Sequence, residues 1–423
     1  MARILNDPNR VPTDVTLRIG FVGTGAPDGD GFAMAYRHAA GYERLDDCEL
    51  VACADIVPEN AAAFADEYDI DDRHVYDDYE EMLATAEPDV VSVCVPPALH
   101  ADIVVNVAQS GVVSAIHCEK PMALTWSDAK RMVDVCENEG VALTINHQQR
   151  FGKPYRKAKE LLDDGKIGDL RRVEFREEHL YDTGTHAFDL ANFYNDMEPV
   201  EWVLAQIDYT DENVLFGAHN ENQAVAQWRY ENGVYGLAST GRGEAFCGDA
   251  LFRLYGTGGV VEVREDGTLA YRRDGKSWKT VKTGTDGRYR PKPGKVRAGT
   301  RLVAKRLSSR LGDRLDSTTY TERAIEDVVT ALEEGEESEL GGRNALAADE
   351  LIFASWESSR RRGRVDLPLD VEDNALESMV AEKKVGPDAT KRSLASDEDE
   401  SADSESSRGR LGAIRSRLVG FVK

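Results

Sequence analysis

Lys120, Asp182 and His186 are the residues whose types and spacing could move a proton and hold a negative charge. Lys120 lies in the segment IHCEKP (116–121) and is the first lysine of a chain in which arginine outnumbers lysine. A compact ammonium can stabilise a developing alkoxide, a role that a planar guanidinium does not fit. A lone lysine at a strand end is more often a solvated ion-pair partner, so this signal needs support from elsewhere.

Asp182 and His186 lie four residues apart in the segment YDTGTHAFD (181–189). We interpret this segment as the start of a helix, where the i, i+4 spacing places both side chains on one side. Histidine titrates near neutral pH and is a natural general base. Asp189, one turn further on, either orients the imidazole or caps the structure. A lone histidine near a glycine is more often structural, so this segment is also insufficient alone.

Gly23 and Gly25 follow the apolar run TLRIGFVGTG (16–25), which has the composition of a first strand. Glycines here let the backbone approach a pyrophosphate at a helix N-terminus. The third glycine of GxGxxG is missing, and Gly29 and Gly31 follow later. Asp55 ends the second predicted strand, where an acid binds a ribose 2′-hydroxyl and repels a 2′-phosphate, which favours NAD over NADP. Its distance from Gly25 exceeds the usual ~20 residues, so an insertion is predicted around the first helix.

Residues 15–146 alternate between strand-like and helix-like segments. Predicted strands include CELVACADI (48–56), DVVSVCVPP (89–97) and VALTINHQ (141–148). Predicted helices include PENAAAFADEY (58–68), with proline at its start, and TWSDAKRMVDVCENEG (125–140), with glycine at its end. This alternation predicts a doubly wound parallel sheet.

Residues after about 150 have a different pattern. The segment GKPYRKAKELLDDGKIG (152–168) predicts a helix, and strands with Asn-Gly and Asp-Gly turns follow in AVAQWRYENGVYGLAST (224–240) and GVVEVREDGTLAYRRDGKSW (259–278). Such turns predict antiparallel hairpins. Two further helices are predicted at TERAIEDVVTALEEG (321–335) and NALAADELIFASWESSRR (344–361).

The charge balance is strongly acidic. The chain of 423 residues carries 52 Lys and Arg against 77 Asp and Glu, a net charge of −25. This composition predicts a salt-adapted cytoplasmic protein, with a halophilic archaeon as its source, and argues against a nucleic-acid partner for the body of the chain. We find no secretory signal and no apolar run long enough to span a membrane. The six cysteines show no metal-binding spacing, so neither a metal nor a disulfide is expected.

Two basic segments, 288–315 and 408–423, interrupt this acidic chain and have the spacing of cationic amphipathic helices. They could dock on a membrane surface, the inner membrane face in the case of 408–423, or on a partner. Alternatively, they dock on the protein's own acidic surface. Residues 371–423 turn polar and acidic, which predicts a disordered tail ending in the second basic segment.

Five features of the chain occur in this order: the glycine loop, Asp55, VPPALH (95–100), CEKP (118–121) and YDTGTHAFD. With these features the chain resembles the glucose–fructose oxidoreductase / inositol dehydrogenase / rhizopine-catabolism (Gfo/Idh/MocA) family. The resemblance runs from about 15 to 370. It implies an α/β protein whose N-terminal Rossmann domain, 15–146, holds the doubly wound parallel sheet. The C-terminal α+β domain, 147–370, would hold an open, mostly antiparallel sheet, which commonly serves oligomerisation, so a homo-oligomer is expected.

On the cofactor side, the resemblance implies contacts from Pro96, Pro97, His100, Glu119 and Lys120, beside the Gly23, Gly25 and Asp55 signals described above. Val95 stands where the family usually has threonine, which puts one polar contact in doubt.

For catalysis, the resemblance implies that Lys120 stands near the nicotinamide and hydrogen-bonds the reacting hydroxyl. His186 would be the general base, and Asp182 would hold both substrate and base. Secondary candidates for the substrate pocket, each with packing or surface exposure as an alternative, are His147, Arg150, Tyr155, His179 and Tyr181.

These residues predict an NAD(P)-dependent dehydrogenase, with NAD preferred, acting on a secondary hydroxyl of a sugar, cyclitol or sugar derivative. Two other classes stay open. One is a redox-neutral lyase or hydrolase that uses tightly held NAD, and the other is a non-catalytic NAD-binding scaffold docked by its C-terminal tail.

Overall fold

The computed structural model describes residues 16–27, 33–241, 250–283 and 318–387. Its first half is a six-stranded parallel sheet in the order β3-β2-β1-β4-β5-β6, which confirms the predicted doubly wound sheet. The elements are β1 (Leu17–Val22), α1 (Met34–Tyr42), β2 (Cys48–Ala54), α2 (Pro58–Tyr68), β3 (Val75–Tyr76), α3 (Tyr79–Ala86), β4 (Val90–Val93), α4 (Pro97–Gln109), β5 (Ala115–Cys118), α5 (Trp126–Glu139) and β6 (Ala142–Ile145).

Local sequence explains where these helices begin and end. Pro58 is the first residue of α2, where its missing N–H leaves no helical hydrogen bond unmade. Thr125 precedes α5 and accepts a hydrogen bond from the N–H of Asp128, while Gly140 ends the helix in the left-handed conformation. Because the strand order reverses between β1 and β4, a crevice opens at their carboxyl ends, where this fold binds ligands.

The second half is a nine-stranded sheet in the order β16-β15-β14-β13-β7-β12-β11-β8-β17. Only β7 and β12 run parallel within the described part of it, which confirms the expected mostly antiparallel sheet. A small β9-β10 hairpin stands beside it. The elements are α6 (Lys153–Asp163), β7 (Leu170–Glu177), α7 (Gly184–Tyr194), β8 (Val200–Asp208), β9 (Val214–Leu215), β10 (Ala218–His219), β11 (Gln223–Tyr230), β12 (Tyr235–Gly241), β13 (Ala250–Gly256), β14 (Gly259–Arg264), β15 (Leu269–Arg273), β16 (Lys279–Val281), α8 (Tyr320–Glu334), α9 (Gly342–Arg361), β17 (Val365–Asp366) and α10 (Ala375–Ala381).

The predicted hairpins are present at β11-β12, β14-β15 and β15-β16. Gly233 in the first of these turns has a φ of 86°, and Gly267 in the second has 77°. Both values lie in the left-handed region that favours glycine, so the Asn-Gly and Asp-Gly pairs fix the registers of these strands.

Aromatic rings pack the inner face of the large sheet against α7 and α9. The ring of Phe188 on α7 lies 4.9 Å from Phe175 on β7 and 5.3 Å from Trp228 on β11. Helix α8 packs instead on α1, where Ile325 is so close to Gly41 that an added Cβ would lie 2.9 Å from its Cγ1. Helix α9 contacts α5 and β6 on one side and β8 of the large sheet on the other, so it joins the two sheets.

The predicted start of the disordered tail at residue 371 is wrong. Residues 375–381 form α10, with Asn374 accepting hydrogen bonds from the N–H groups of Leu376 and Glu377 at its N-terminus. Leu376 and Met379 are buried, so one apolar face anchors this short helix despite its polar surroundings. The basic segments 288–315 and 408–423, the acidic run near 400, Gly29, Gly31 and Cys247 lie outside the described residues.

Candidate active site

Gly23, Thr24 and Gly25 form the turn that follows β1. Gly23 has a φ of 82°, and a Cβ added there would lie 2.6 Å from Val95 Cγ1. Gly25 has a φ of 66° and lies against Ala33, just before α1. Both positions therefore need glycine, and Val95, where the resemblance implies threonine, packs on the turn instead of adding a polar contact.

Asp55 follows β2 and faces this turn. Its Oδ2 accepts hydrogen bonds from the Gly25 N–H at 2.9 Å and from the Thr24 hydroxyl at 3.1 Å. The next residue, Ile56, is 88 % exposed. The glycine turn, the helix start and the carboxylate together have the features of a dinucleotide site, so the residues present fit NAD.

His100 joins the loop after β4 to the turn after β5. Pro96 precedes α4 and Pro97 is its first residue. The buried ring of His100 places its nitrogens 2.8 Å from the Val95 carbonyl oxygen and 2.9 Å from that of Pro121. Burial lowers the pKa of His100. Both sides of the ring face protein carbonyls, so in this geometry His100 braces the loop that carries Pro96 and Pro97.

Lys120 follows β5 and meets Asp182 from the other half of the chain. Its Nζ lies 2.8 Å from the Asp182 carbonyl oxygen and 3.2 Å from the Asp182 carboxylate. The Lys120–Pro121 peptide bond is cis. Both side chains stay in partial contact with solvent, at 18 % and 16 % exposure. An ammonium has three donors, and these contacts, within the described residues, use two of them.

Asp182 does not lie on a helix, which corrects the interpretation of YDTGTHAFD as a helix start from its first residues. It lies in a turn, and α7 begins only at Gly184. A Cβ on Gly184 would lie 2.4 Å from the His179 carbonyl oxygen, so the tightness of this turn requires glycine. His186 occupies the first turn of α7, and its ring centroid lies 5.5 Å from that of His147, which follows β6.

Glu119, next to Lys120, takes part in a buried network that the sequence did not reveal. His38 on α1 bonds its Oε1 at 2.8 Å, and the Asn146 amide donates to the same oxygen at 2.5 Å. The other nitrogen of His38 meets the Ser92 hydroxyl at 2.7 Å. Burial raises the pKa of Glu119, but the bonds from His38 and Asn146 and the Lys120 charge outweigh it and bring the pKa to about 2. The charged Glu119 carboxylate thus links helix α1, which follows the glycine turn, to the turn that carries Lys120.

Comparison with known proteins matches residues 17–147 to the GFO/IDH/MocA "oxidoreductase family, NAD-binding Rossmann fold". Residues 155–262 match the GFO/IDH/MocA C-terminal domain. The chain belongs to this oxidoreductase family. Residues 17–147 are accordingly an NAD-binding Rossmann domain, as the glycine turn and Asp55 predicted.

Two curated dehydrogenases and one solved structure resemble the chain at low identity. The chain is 24 % identical to inositol 2-dehydrogenase of Rhizobium meliloti, over 84 % of this chain and 100 % of that enzyme. It is also 24 % identical to myo-inositol 2-dehydrogenase of Thermotoga maritima, over 58 % of this chain and 74 % of that enzyme. The WlbA dehydrogenase of Bordetella pertussis, solved with NADH and UDP-GlcNAcA, shares the fold with a TM-score of 0.63 at 23 % identity, covering 85 % of this chain and 100 % of that one.

In this family member, three of the secondary pocket candidates are occupied by contacts within the protein. Arg150 is buried and pairs with Asp189 through its Nε at 3.0 Å and its Nη2 at 2.5 Å. This pairing is neither of the two roles considered for Asp189. Tyr181 is buried and donates to the Ala123 carbonyl oxygen at 2.7 Å, and Tyr155 is buried with its ring against Phe252.

His147 and His179 are placed differently. His179 is half-buried in the turn before α7. His147 is 1 % exposed and, among the described residues, neither of its ring nitrogens has a hydrogen-bond partner. Burial lowers the pKa of His147, so the neutral ring is favoured. The structure thus brings together Lys120, Asp182, His186 and His147 at one edge of the parallel sheet.

The described residues include neither a candidate metal site nor a candidate membrane-spanning helix. Within the described ranges, no group of three or more His, Cys, Asp or Glu side chains has a metal-binding arrangement. None of the helices in those ranges is both long and apolar enough to cross a bilayer.

Proposed function

We propose that the chain is an NAD-dependent dehydrogenase acting on a secondary hydroxyl of a sugar, cyclitol or sugar derivative. One observation carries the proposal. Lys120 Nζ lies 2.8 Å from the Asp182 carbonyl oxygen, beside the helix turn that bears His186. A lysine and an aspartate from distant parts of the sequence thereby meet at the ligand-binding edge of an NAD-binding domain, and the candidate base follows the aspartate by four residues.

Oxidation of an alcohol removes a proton and a hydride, and Lys120, Asp182 and His186 have separate roles in it. His186 takes the hydroxyl proton, since a neutral imidazole nitrogen can accept a proton as a general base. Lys120 directs its remaining ammonium proton at the hydroxyl oxygen and stabilises the negative charge that develops there. Asp182 holds the ammonium in place. Bound NAD supplies the hydride acceptor, and Gly23, Gly25 and Asp55 would hold it.

Asp55 supports NAD as the preferred cofactor. Its carboxylate lies at the end of β2 and would repel a 2′-phosphate. The residue after it is the apolar Ile56 rather than an arginine that could pair with such a phosphate. The preference for NAD over NADP therefore follows from charge at this one position.

The neighbourhood of His186 supports a substrate rich in hydroxyl groups. The ring of His147 lies 5.5 Å from that of His186, and both of its nitrogens are buried and have no hydrogen-bond partner among the described residues. Buried polar atoms are strongly favoured to find partners, and substrate hydroxyls could supply them. The inositol 2-dehydrogenase relatives act on such a polyol, which agrees with this substrate class.

The outer face of the nine-stranded sheet supports a homo-oligomer. Leu204 and Tyr235 are 45 % and 37 % exposed there, and Trp202 packs edge-on against Tyr235 at 6.2 Å. Such apolar exposure on a sheet face fits a second copy of the chain. Light scattering of the wild type against Leu204→Glu tests this, and a monomeric wild type would contradict it.

The deciding experiment is a screen of polyols and sugars with NAD and NADP at high salt, using the Lys120→Met variant as the control for each active substrate. We expect NADH formation from at least one secondary alcohol by the wild type only. A converted substrate without net NADH would replace the proposal by the redox-neutral class. Faster reaction with NADP would refute the role of Asp55, and NAD binding without any turnover would favour the scaffold.

A further inference from the structure

The turn that carries Asp182 rests on two side chains from the segment after β10. Glu221 Oε1 accepts a hydrogen bond from the Leu180 N–H at 2.6 Å. Asn220 Oδ1 accepts one from the Asp182 N–H at 3.2 Å. Two backbone donors of one short turn are therefore held by consecutive residues about 40 positions away in the chain.

Glu221 is fully buried, and the groups around it are donors. Besides the Leu180 N–H, the Thr240 hydroxyl donates to Oε1 at 2.9 Å and the Trp356 indole N–H donates to Oε2 at 3.1 Å. Both oxygens thus accept, as an ionised carboxylate does. A glutamine of the same size would have to turn its NH₂ toward one of these donors, leaving two donors facing each other in a buried place.

Asn220 is also fully buried, and its amide orientation is set by its surroundings. Its Nδ2 donates to the Ala218 carbonyl oxygen at 3.2 Å, which leaves Oδ1 to face the Asp182 N–H. Its own N–H donates to the Asn213 carbonyl oxygen at 2.8 Å, across the β9-β10 hairpin. The hairpin therefore presents the side-chain oxygen at a fixed position.

These contacts bear on Lys120. Both described partners of its ammonium, the carbonyl oxygen and the carboxylate, belong to Asp182. A displacement of the turn moves both together and takes the remaining ammonium proton away from the substrate oxygen. Misplacing a catalytic group by about 1 Å can lower a rate by about 100-fold.

We propose that Asn220 and Glu221 are positioning residues for the dehydrogenase reaction: they hold the Leu180–Asp182 turn so that Asp182 fixes the Lys120 ammonium against the substrate. This inference rests on the proposed function for its catalytic consequence. The geometric part, a turn held by two buried side chains, stands without it.

The first test compares Glu221→Gln and Asn220→Ala with Thr240→Val, which removes a donor to Glu221 without touching the turn. We expect Glu221→Gln to lower kcat by about 10- to 100-fold, with NAD affinity unchanged, and Thr240→Val to change kcat by less than about threefold. Equal kcat values for the three folded variants, with only their thermal stabilities differing, would overturn the proposal. If Glu221→Gln does not fold, Asn220→Ala, which removes no charge, carries the same comparison.

The second test is a double-mutant cycle with Lys120→Met. A residue that acts by positioning the Lys120 ammonium loses its effect when that ammonium is absent. Glu221→Gln should therefore lower the residual kcat by less than about twofold in the Lys120→Met background. A full, additive loss there would show that Glu221 acts by another route and would overturn the proposal.

A third measurement does not depend on turnover. Hydrogen exchange followed by mass spectrometry reports on the peptide that spans residues 178–186. Glu221→Gln should speed exchange in this peptide and Thr240→Val should not. Faster exchange in a protein without dehydrogenase activity would refute the proposed function alone, whereas unchanged exchange would refute the positioning role.

Discussion

Two ion pairs join the parallel-sheet half of the protein to the segment around α7, and they differ in almost every property. Lys120 follows β5 and meets Asp182 before the helix, while Arg150 follows β6 and meets Asp189 within it. Lys120 and Asp182 are 18 % and 16 % exposed, whereas Arg150 and Asp189 are each 2 % exposed. The Lys120–Asp182 pair is therefore accessible to a ligand, and the Arg150–Asp189 pair is not.

The chemistry of the two cations matches this difference. Arg150 binds Asp189 through two nitrogens and lies 5.1 Å above the ring of Phe193. A planar guanidinium suits such a fixed, bidentate contact. Lys120 is a point charge with a donor to spare, which suits a changing substrate oxygen. Under the proposed function, the partly exposed Lys120–Asp182 pair takes part in the chemistry, and the buried Arg150–Asp189 pair holds the surrounding structure in place.

The Lys120→Met variant should show the largest effect, and it tests the role of the Lys120–Asp182 pair. Removing one donor to a developing oxyanion typically lowers kcat by roughly 10²–10³-fold. Because this pair keeps contact with water, its loss should change the free energy of unfolding by only about 1 kcal/mol. Steady-state kinetics, NAD titration and urea denaturation of the variant measure these three quantities. Full activity in Lys120→Met would end the catalytic assignment.

The Asp189→Asn variant tests the role of the buried Arg150–Asp189 pair. It leaves Arg150 buried without its counter-charge, so the free energy of unfolding should fall by about 3–5 kcal/mol. The double variant Arg150→Met/Asp189→Leu removes both charges and should recover most of that stability. Urea denaturation compares the three proteins. If the single variant is as stable as the wild type, Arg150 and Asp189 do not hold the frame.

Elements with a local signal could be predicted from the sequence. The parallel sheet followed from alternating apolar segments, and the hairpins followed from Asn-Gly and Asp-Gly pairs whose glycines adopt positive φ. Helix α10 was missed because acidic residues dominate its surroundings, and its buried face consists of just Ala375, Leu376 and Met379. Local patterns therefore predicted the two sheets correctly but missed the helix near residue 380.

The candidate site depended on contacts that no local pattern encodes. His38 and Glu119 are 81 positions apart, and Arg150 and Asp189 are 39 positions apart. A polar residue on the buried side of a helix, as His38 is in AYRHAAGY, signals a buried partner without identifying it. Lys120, Asp182 and His186 were linked in the sequence by family resemblance, and the fold supplies the physical reason for their meeting.

Asp349 on α9 extends the comparison to a buried carboxyl without a counter-charge. The Thr185 hydroxyl donates to Oδ1 at 3.4 Å, and Oδ2 has no hydrogen-bond partner among the described residues. Burial raises the pKa of Asp349 from 3.8 to about 8. Between these values the folded state keeps a proton that the unfolded state has lost, so stability falls as pH rises. Below the unfolded pKa the penalty is absent, and above about 8 it is constant.

Asp349→Asn removes this proton linkage. Relative to the variant, wild-type unfolding free energy should fall by about 1.4 kcal/mol per pH unit from about pH 4 to about pH 8. Urea denaturation over this range measures the difference, and Asp102→Asn, a change on an exposed helix surface, serves as the matched control. Parallel stability curves for wild type and Asp349→Asn would show that Asp349 is ionised in the folded protein.

Asp102→Asn itself should have the smallest effect and sets the lower end of the comparison. Asp102 on α4 lies 2.6 Å from Arg131 on α5, closer than Lys120 lies to the Asp182 carboxylate. Yet Asp102 is 76 % exposed, and Arg131 keeps a second partner in Asp128 at 3.0 Å. The free energy of unfolding should therefore fall by less than about 1 kcal/mol, and by still less at high salt. A loss as large as that of Asp189→Asn would mean that distance, rather than burial, decides what an ion pair does in this protein.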